Sequence, residues 1–245
     1  MLKRKQIEIL GVPVDRVNME EARLLFEGLM SKEGCSLIVT PNSEIIYNAD
    51  KDLELKNILI SADLVIPDGI GLIYASKILG SPLQERVTGI DFLNTILGWF
   101  NSNGGSIFFL GGKPGVASLA AEKIKLAFPN LRVAGTHHGY FPREDEQDIV
   151  NMINSSNADF LCVAMGAPRQ EKFIARHKEN LGVKAAIGVG GSLDVWAGAV
   201  KRAPEFYQRL GLEWLYRLIK QPSRYKRMIA LPLFMLKVLR SRIVK

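Results

Sequence analysis

Apolar positions along the chain follow two alternating patterns. Short β-rich runs, QIEILGVPV, CSLIVTPN, DLVIPDG, SIFFLGG, LRVAGTHHGYF, ADFLCVAMGAP and KAAIGVGGS, alternate with stretches whose apolar residues return every three or four positions. Those stretches are NMEEARLLFEGLM, SEIIYNADKDLELKNILIS, IGLIYASKIL, GIDFLNTILGWF, GVASLAAEKIKLAF, EDEQDIVNMINSS and RQEKFIARHKENLG. Near-continuous apolar runs joined by helix-length segments predict an α/β fold, a Rossmann-like open and mostly parallel sheet flanked by helices. Asn18 followed by Glu21 predicts a capped helix start, and Gly182 predicts a stop. Asp50, Lys51 and Asp52 fall within a helical pattern and read as surface charge.

The strand pattern ceases near Pro204, and the remainder reads as amphipathic helices broken around Pro222 and Pro232. The expected organisation is an α/β catalytic unit over residues 1–195 and a helical appendage over 196–245 that completes the active site. Charge sharpens this division. The whole chain carries +7, but from Lys201 onward twelve Lys or Arg face only Glu205 and Glu213, so the tail is +10 and the first 200 residues are −3. A basic tail permits a solvated helix surface, a nucleic-acid footprint or a membrane-surface helix. Lys220, Arg224 and Arg227 share a face, with Trp214, Tyr216, Tyr225 and Phe234 supplying apolar matter beside them, which favours an anionic lipid surface or a lipid diphosphate. The acidic first 200 residues argue against nucleic acid. The apolar run MIALPLFMLKVL is too short to cross a bilayer. The apolar residues of LGLEWLYRLI could pack within the chain, between subunits as a homo-oligomer, or on lipid.

An apolar fraction of 47% and a charged fraction of 23% are those of an ordinary globular protein. Cys35 and Cys162 lie in apolar strand-like runs and read as buried thiols rather than a disulfide or metal pair. With no signal-peptide apolar region after MLKRKQ, the expected location is cytoplasmic, attached peripherally to the inner face of the membrane.

Candidate chemistry collects where the strands end. Thr40-Pro41-Asn42, Pro67-Asp68-Gly69, Gly111-Gly112, His138-Gly139-Tyr140, Gly166-Ala167-Pro168 and Gly190-Gly191-Ser192 each close an apolar run. In an open α/β sheet that edge forms the ligand crevice, and helix N-termini there offer N–H groups to anions. Asp68 could be a helix cap; with Pro67 stiffening the joint and Gly69 and Gly71 leaving space, it could equally be a tuned general base. Thr40 and Asn42 read alone as turn residues, and gain interest from the neighbouring Asp68. Arg169 and Gln170 could hold a phosphate or a sugar hydroxyl. Glu171 suits the helix dipole whatever the function. Arg86 alone reads as a solvated surface residue. His137 and His138 point to opposite sides of a strand, which disfavours a metal site. GVGGSL has Leu193 where a dinucleotide fingerprint needs its third glycine, and LGGKPG lacks P-loop spacing, so neither an oxidoreductase nor an NTPase is supported.

Five ordered blocks, TPNSEIIYNA, ADLVIPDGIGL, RVTGID, GAPRQEKFI and GVGGSLDVWAGAVKRAPEFYQRLGLEWLYRL, resemble the WecG/TagA/CpsF glycosyltransferases, glycosyltransferase family 26, over nearly the whole chain. The resemblance is to the branch that starts wall teichoic acid linkage units. It implies inverting, metal-independent transfer of N-acetylmannosamine from a UDP-sugar donor to the 4-hydroxyl of GlcNAc on undecaprenyl diphosphate, with no cofactor. It implies that Asp68 is the base, that Thr40, Asn42, Arg86 and Gln170 line the sugar and diphosphate site, and that Asp194 with Gly190 and Gly191 helps hold the nucleotide. Gly69, Gly111, Gly139, Tyr140, Gly166 and Arg169 complete the candidate substrate-binding set. Arg217, Arg224 and Arg227, with Lys220, are the implied contacts to diphosphate and membrane. A related branch transfers N-acetylmannosaminuronic acid instead, and its donor carries an extra carboxylate.

Overall fold

The computed structural model describes residues 4–243, with the side chains of Arg224 and Lys226 outside that description. β1 (Gln6–Ile9) and β2 (Val12–Asp15) form an antiparallel hairpin. After α1 (Met19–Met30) come β3 (Ser36–Val39), α2 (Ser43–Ala49), α3 (Leu53–Ser61) and β4 (Leu64–Val65). Next are α4 (Ile70–Ile78), α5 (Gly89–Asn103), β5 (Ser106–Gly111), α6 (Val116–Ala127) and β6 (Arg132–His137). α7 (Glu146–Ser155), β7 (Phe160–Ala164), α8 (Arg169–His177), β8 (Ala185–Gly188) and α9 (Ser192–Trp196) complete the α/β part. The tail forms α10 (Glu205–Arg209), α11 (Glu213–Lys220), α12 (Tyr225–Met228) and α13 (Ala230–Ile243).

Strands β3 to β8 make one six-stranded sheet in the order β4-β3-β8-β7-β5-β6, parallel throughout. The expected α/β class is therefore what the chain adopts. Burial explains the continuous apolar runs: Leu37 and Val39 join one core layer, while Ile38 between them joins the other. One layer gathers α2, α3, α4, α7, α8 and α13; the other gathers α1, α5, α6 and α9. In the second layer Phe26 meets Phe92, Trp99 and Phe160 edge-on at 6.5, 5.4 and 5.6 Å between ring centres.

Two expectations change. QIEILGVPV is not a strand of the parallel sheet but the hairpin, because Leu10 and Gly11 both take positive φ (51° and 80°) and reverse the chain. The hairpin is fastened by Asp15, whose buried carboxylate accepts from the Arg4 guanidinium at 2.7 and 2.9 Å and from the Val65 amide at 2.8 Å. The stretch 43–61 is two helices, because Asp52 caps α3 through the Leu55 amide, while Asp50 and Asp52 meet Lys237 and Lys172 respectively. Both cysteines are free and buried, as expected.

The topology fixes where a ligand can sit. The helix leaving β3 covers one face of the sheet and the helix leaving β8 covers the other, so the adjacent β3 and β8 flank a switch point at their carboxyl ends. The tail folds back over this region. Phe234 and Val238 of α13 are fully buried in the layer that holds Ile45 of α2 and Leu72 of α4. A Cβ on Gly71 would lie 2.0 Å from Ser43 Oγ and 2.8 Å from Leu231, so the glycine lets the start of α4 close on α2 and α13. Among the described residues no helix is long and apolar enough to cross a membrane.

Candidate active site

A cavity of about 260 Å³ opens at the switch point. Its floor comes from the ends of β3, β4, β7 and β8, and its roof from the tail, through Glu213, Trp214, Arg217, Arg227, Met228 and Leu231. Of the residues singled out from the sequence, Thr40, Asn42, Asp68, Gly69, Arg86, Gly166, Gln170, Gly190, Gly191, Arg217 and Arg227 all line it.

Asp68 does not cap a helix. The N-cap of α4 is Gly69, at φ 101°, with no side-chain cap. The carboxyl is instead directed to the start of α5, where it accepts the Gly89 amide, and a Cβ on Gly89 would stand 3.4 Å from Asp68 Oδ2 and 3.3 Å from Thr40 Oγ1. Asp68 keeps part of its surface open to the cavity while protein crowds it on all sides. Desolvation dominates and pushes its carboxyl up to about 6, against the opposing pull of the Gly89 N–H and of Arg217 and Arg86, with Glu213 adding to the rise. A carboxyl poised there suits a general base near neutral pH.

The neighbouring groups are mostly held by one another. Thr40 Oγ1 donates to the Gly188 carbonyl at 2.9 Å, joining the ends of β3 and β8. Asn42 is the N-cap of α2 and accepts the Ile45 amide at 3.0 Å, so the local turn role expected of it alone is present, as a helix cap. Gln170, almost fully buried, receives the Gly166 and Gly190 amides on Oε1 at 3.1 and 3.0 Å and donates to Glu171 at 2.8 Å. Arg86 is not solvated: it donates to Glu213 and to the Gln208 carbonyl, both in the tail, at 3.0 Å each. Arg227 pairs with Glu44 at 2.7 Å at the rim. Arg217 faces the cavity and sits near enough to Asp68 to favour its charged form.

Other residues expected in the site lie outside this lining. Gly111, Gly139 and Tyr140 end β5 and β6, further along the same sheet edge; Gly111 packs so tightly on β7 that a Cβ would fall 2.4 Å from the Ala164 carbonyl. Arg169 donates to the Phe141 carbonyl and stacks on its ring at 5.0 Å. Asp194 sits in α9, where its carbonyl accepts the Val200 amide. Lys220 lies over Tyr216 on the exposed side of α11. The Arg224 side chain lies outside the described residues.

Sequence reasoning misses Gly89 and Glu213. The first stands in RVTGID directly after the cap residue Thr88, and the second is one of only two acids in a strongly basic tail, a signal that was available. Arg202 was also unmarked; it clamps both Asp91 carboxylate oxygens at 2.7 and 2.6 Å and fastens the tail to α5.

The chain is similar to known proteins along most of its length. A family model described as the Glycosyl transferase WecG/TagA/CpsF family matches residues 7–245. Proteins named N-acetylglucosaminyldiphosphoundecaprenol N-acetyl-beta-D-mannosaminyltransferase are similar over most of their length. That of Bacillus subtilis (strain 168) is 40% identical over 206 residues, 84% of this chain and 80% of the relative. That of Bacillus spizizenii is 38% identical over 205 residues, 84% and 79%. That of Staphylococcus aureus (strain MRSA252) is 33% identical over 239 residues, 97% and 93%.

Proposed function

The chain belongs to the WecG/TagA/CpsF glycosyltransferase family, and from that premise we propose that it transfers N-acetylmannosamine from a UDP-sugar to the 4-hydroxyl of GlcNAc on undecaprenyl diphosphate, with inversion. The observation that carries the reading is Asp68, a crowded carboxyl aimed into a cavity that also holds Arg86 and Arg217.

The chemistry follows from that arrangement. Asp68 takes the proton of the acceptor hydroxyl as its oxygen bonds to the anomeric carbon. On the opposite face the bond to UDP breaks, and its electron pair leaves on the diphosphate oxygen. No enzyme nucleophile is required for a single inverting displacement. The charge gathering on the diphosphate is met by Arg86, Arg217 and Arg227 and by the N-terminus of α2. Metal-independent turnover is the expectation.

The tail also supports reaching a lipid-borne acceptor. Along α13 Leu233, Leu236, Leu239 and Ile243 are exposed on the side opposite Ala230, Phe234 and Val238, with Arg240 within the same exposed stripe. Ile219 and Tyr225 add exposed apolar surface nearby. Peripheral attachment to an anionic membrane through this stripe is part of the reading. Co-sedimentation with vesicles containing phosphatidylglycerol should be strong at low salt, and should fall on Leu236→Glu; equal binding by that variant would remove α13 from the membrane contact.

The direct test is incubation with a panel of UDP-N-acetylhexosamines, the corresponding uronic acid included, and a short-chain lipid-diphosphate-GlcNAc, with product mass and UDP release followed with and without EDTA. Transfer from UDP-N-acetylmannosamine that survives EDTA supports the reading, and preference for another donor contradicts it. The pH dependence has a definite sign. A base must be deprotonated, so kcat/KM should climb about tenfold per pH unit below about 6 and level off above it. An acid limb near the ordinary aspartate value of 3.8 would contradict a desolvated base.

A further inference from the structure

One buried acid beside the site has no role in the mechanism above. Glu171, in the first turn of α8, is only 1% exposed. Its Oε1 accepts from Gln170 Nε2 at 2.8 Å, and among the described residues its Oε2 has no hydrogen-bond partner. Among the described residues no Lys, Arg or His pairs with it, and burial raises its pKa above the ordinary glutamate value. A glutamate that merely answered a helix dipole would sit in solvent, where the charge costs nothing to keep.

What the carboxyl touches explains its position. The Gln170 side chain bridges two separate loops: its oxygen takes the Gly166 amide after β7 and the Gly190 amide after β8, and both loops line the cavity. An amide turned over by 180° would set its NH₂ against those two N–H donors. Room for the bridge comes from Gly188, where a Cβ would fall 2.6 Å from Gln170 Nε2. The Gly188 carbonyl is the acceptor of Thr40 Oγ1. Three strand ends of the cavity floor thus meet around one side-chain amide, and its nitrogen is anchored by Glu171.

We propose that Glu171 is a positioning residue: by accepting from Gln170 it holds the amide in the orientation that ties the Gly166 and Gly190 loops together and so fixes the floor on which the sugar donor lies. The floor-fixing part of this rests on the transferase reading. Without Glu171 the buried Gln170 nitrogen loses its partner, the side chain turns toward the water of the cavity, and the two loops part.

The experiment compares full-length Glu171→Leu and Glu171→Gln with the wild type. Leu removes the acceptor and the burial cost together; Gln keeps an acceptor oxygen at nearly the same place. Glu171→Leu is expected to lower kcat by roughly tenfold or more with no fall in Tm, and to speed hydrogen exchange at the Gly166 and Gly190 amides. Glu171→Gln is expected to stay within about threefold of wild-type kcat and to keep the exchange slow. Wild-type kcat and unchanged exchange in Glu171→Leu would overturn the proposal. So would equal losses of kcat and Tm in both variants, which is the mark of a merely structural acid. Should Glu171→Leu not fold, the wild-type protein still decides: of the two resolved Gln170 side-chain amide proton resonances, the one facing Glu171 should exchange with water slowly, and fast exchange of both overturns the bridge. The exchange and resonance readouts do not use turnover, so they stand even where the donor panel rejects the transferase reading.

Discussion

Replacing Asp68 by Asn is expected to lower kcat by ~10²–10⁴-fold while leaving UDP affinity within about threefold of wild type. Asn keeps the shape and can still accept the Gly89 amide, but it cannot take a proton. The same substitution should stabilise the fold. The carboxyl titrates near 6 in the folded protein against 3.8 ordinarily, because desolvation disfavours its charged form. Wild-type stability contributed by this group is therefore complete below about pH 4, falls as pH rises toward 6, and is lower by roughly 3 kcal/mol at most above that. Relative to wild type, Asp68→Asn should gain nothing at pH 4 and should show its full gain in Tm by pH 7.5. Thermal melts at both values, run beside turnover, check the sign. A variant that loses stability at pH 7.5 would mean that Asp68 is held as a structural anion rather than a poised base.

The second large effect concerns the tail. A chain ending at Val200 is expected to lose at least ~10²-fold in kcat/KM and yet to fold. Arg217, Arg227 and Glu213 leave with the tail, so the cavity loses its roof, two of its cations and the carboxylate that aims Arg86. The cut belongs after residue 197, because the Trp196 indole donates to Asn94 at 3.1 Å and its ring packs on Phe128, while the Ala197 carbonyl accepts from Lys123. Stability must fall, since Phe234 and Val238 cover Ile45 and Leu72 in the intact chain. The sheet remains, with one helix layer whole and the other lacking only α13, so a cooperative but lower melt is expected. Turnover by the shortened chain equal to that of the whole would remove the tail from the catalytic site.

Much of this is legible in the sequence alone. Runs such as SIFFLG, buried at every position, can only be strands covered on both faces, and their exits into Gly, Pro and Asp mark the ligand edge. Asp68 stood out because Pro67 and Gly69 frame it where an ordinary cap would serve, and the cap reading indeed fails in the structure. What the pattern did not carry was strand order. β5 and β6 lie two and three strands from β8, roughly 10–15 Å along the edge, so Gly111, Gly139 and Tyr140 share the edge with Asp68 but not its cavity. The hairpin was hidden because a leucine, not a second glycine or an asparagine, takes the first positive φ of its turn. The pairing of Arg86 with Glu213, 127 positions apart, depends wholly on how the tail docks.

The central claim is that one carboxyl lifts one proton from the incoming alcohol. It is tested most directly by a structure of the full-length Asp68→Asn protein with a UDP-sugar and a short-chain lipid-diphosphate-GlcNAc both bound. The account predicts the GlcNAc 4-oxygen at about 2.6–3.2 Å from the residue-68 side chain, in line with the anomeric carbon and the departing diphosphate. An acceptor oxygen held beyond about 5 Å, with some other titratable group in contact with it, would contradict that claim.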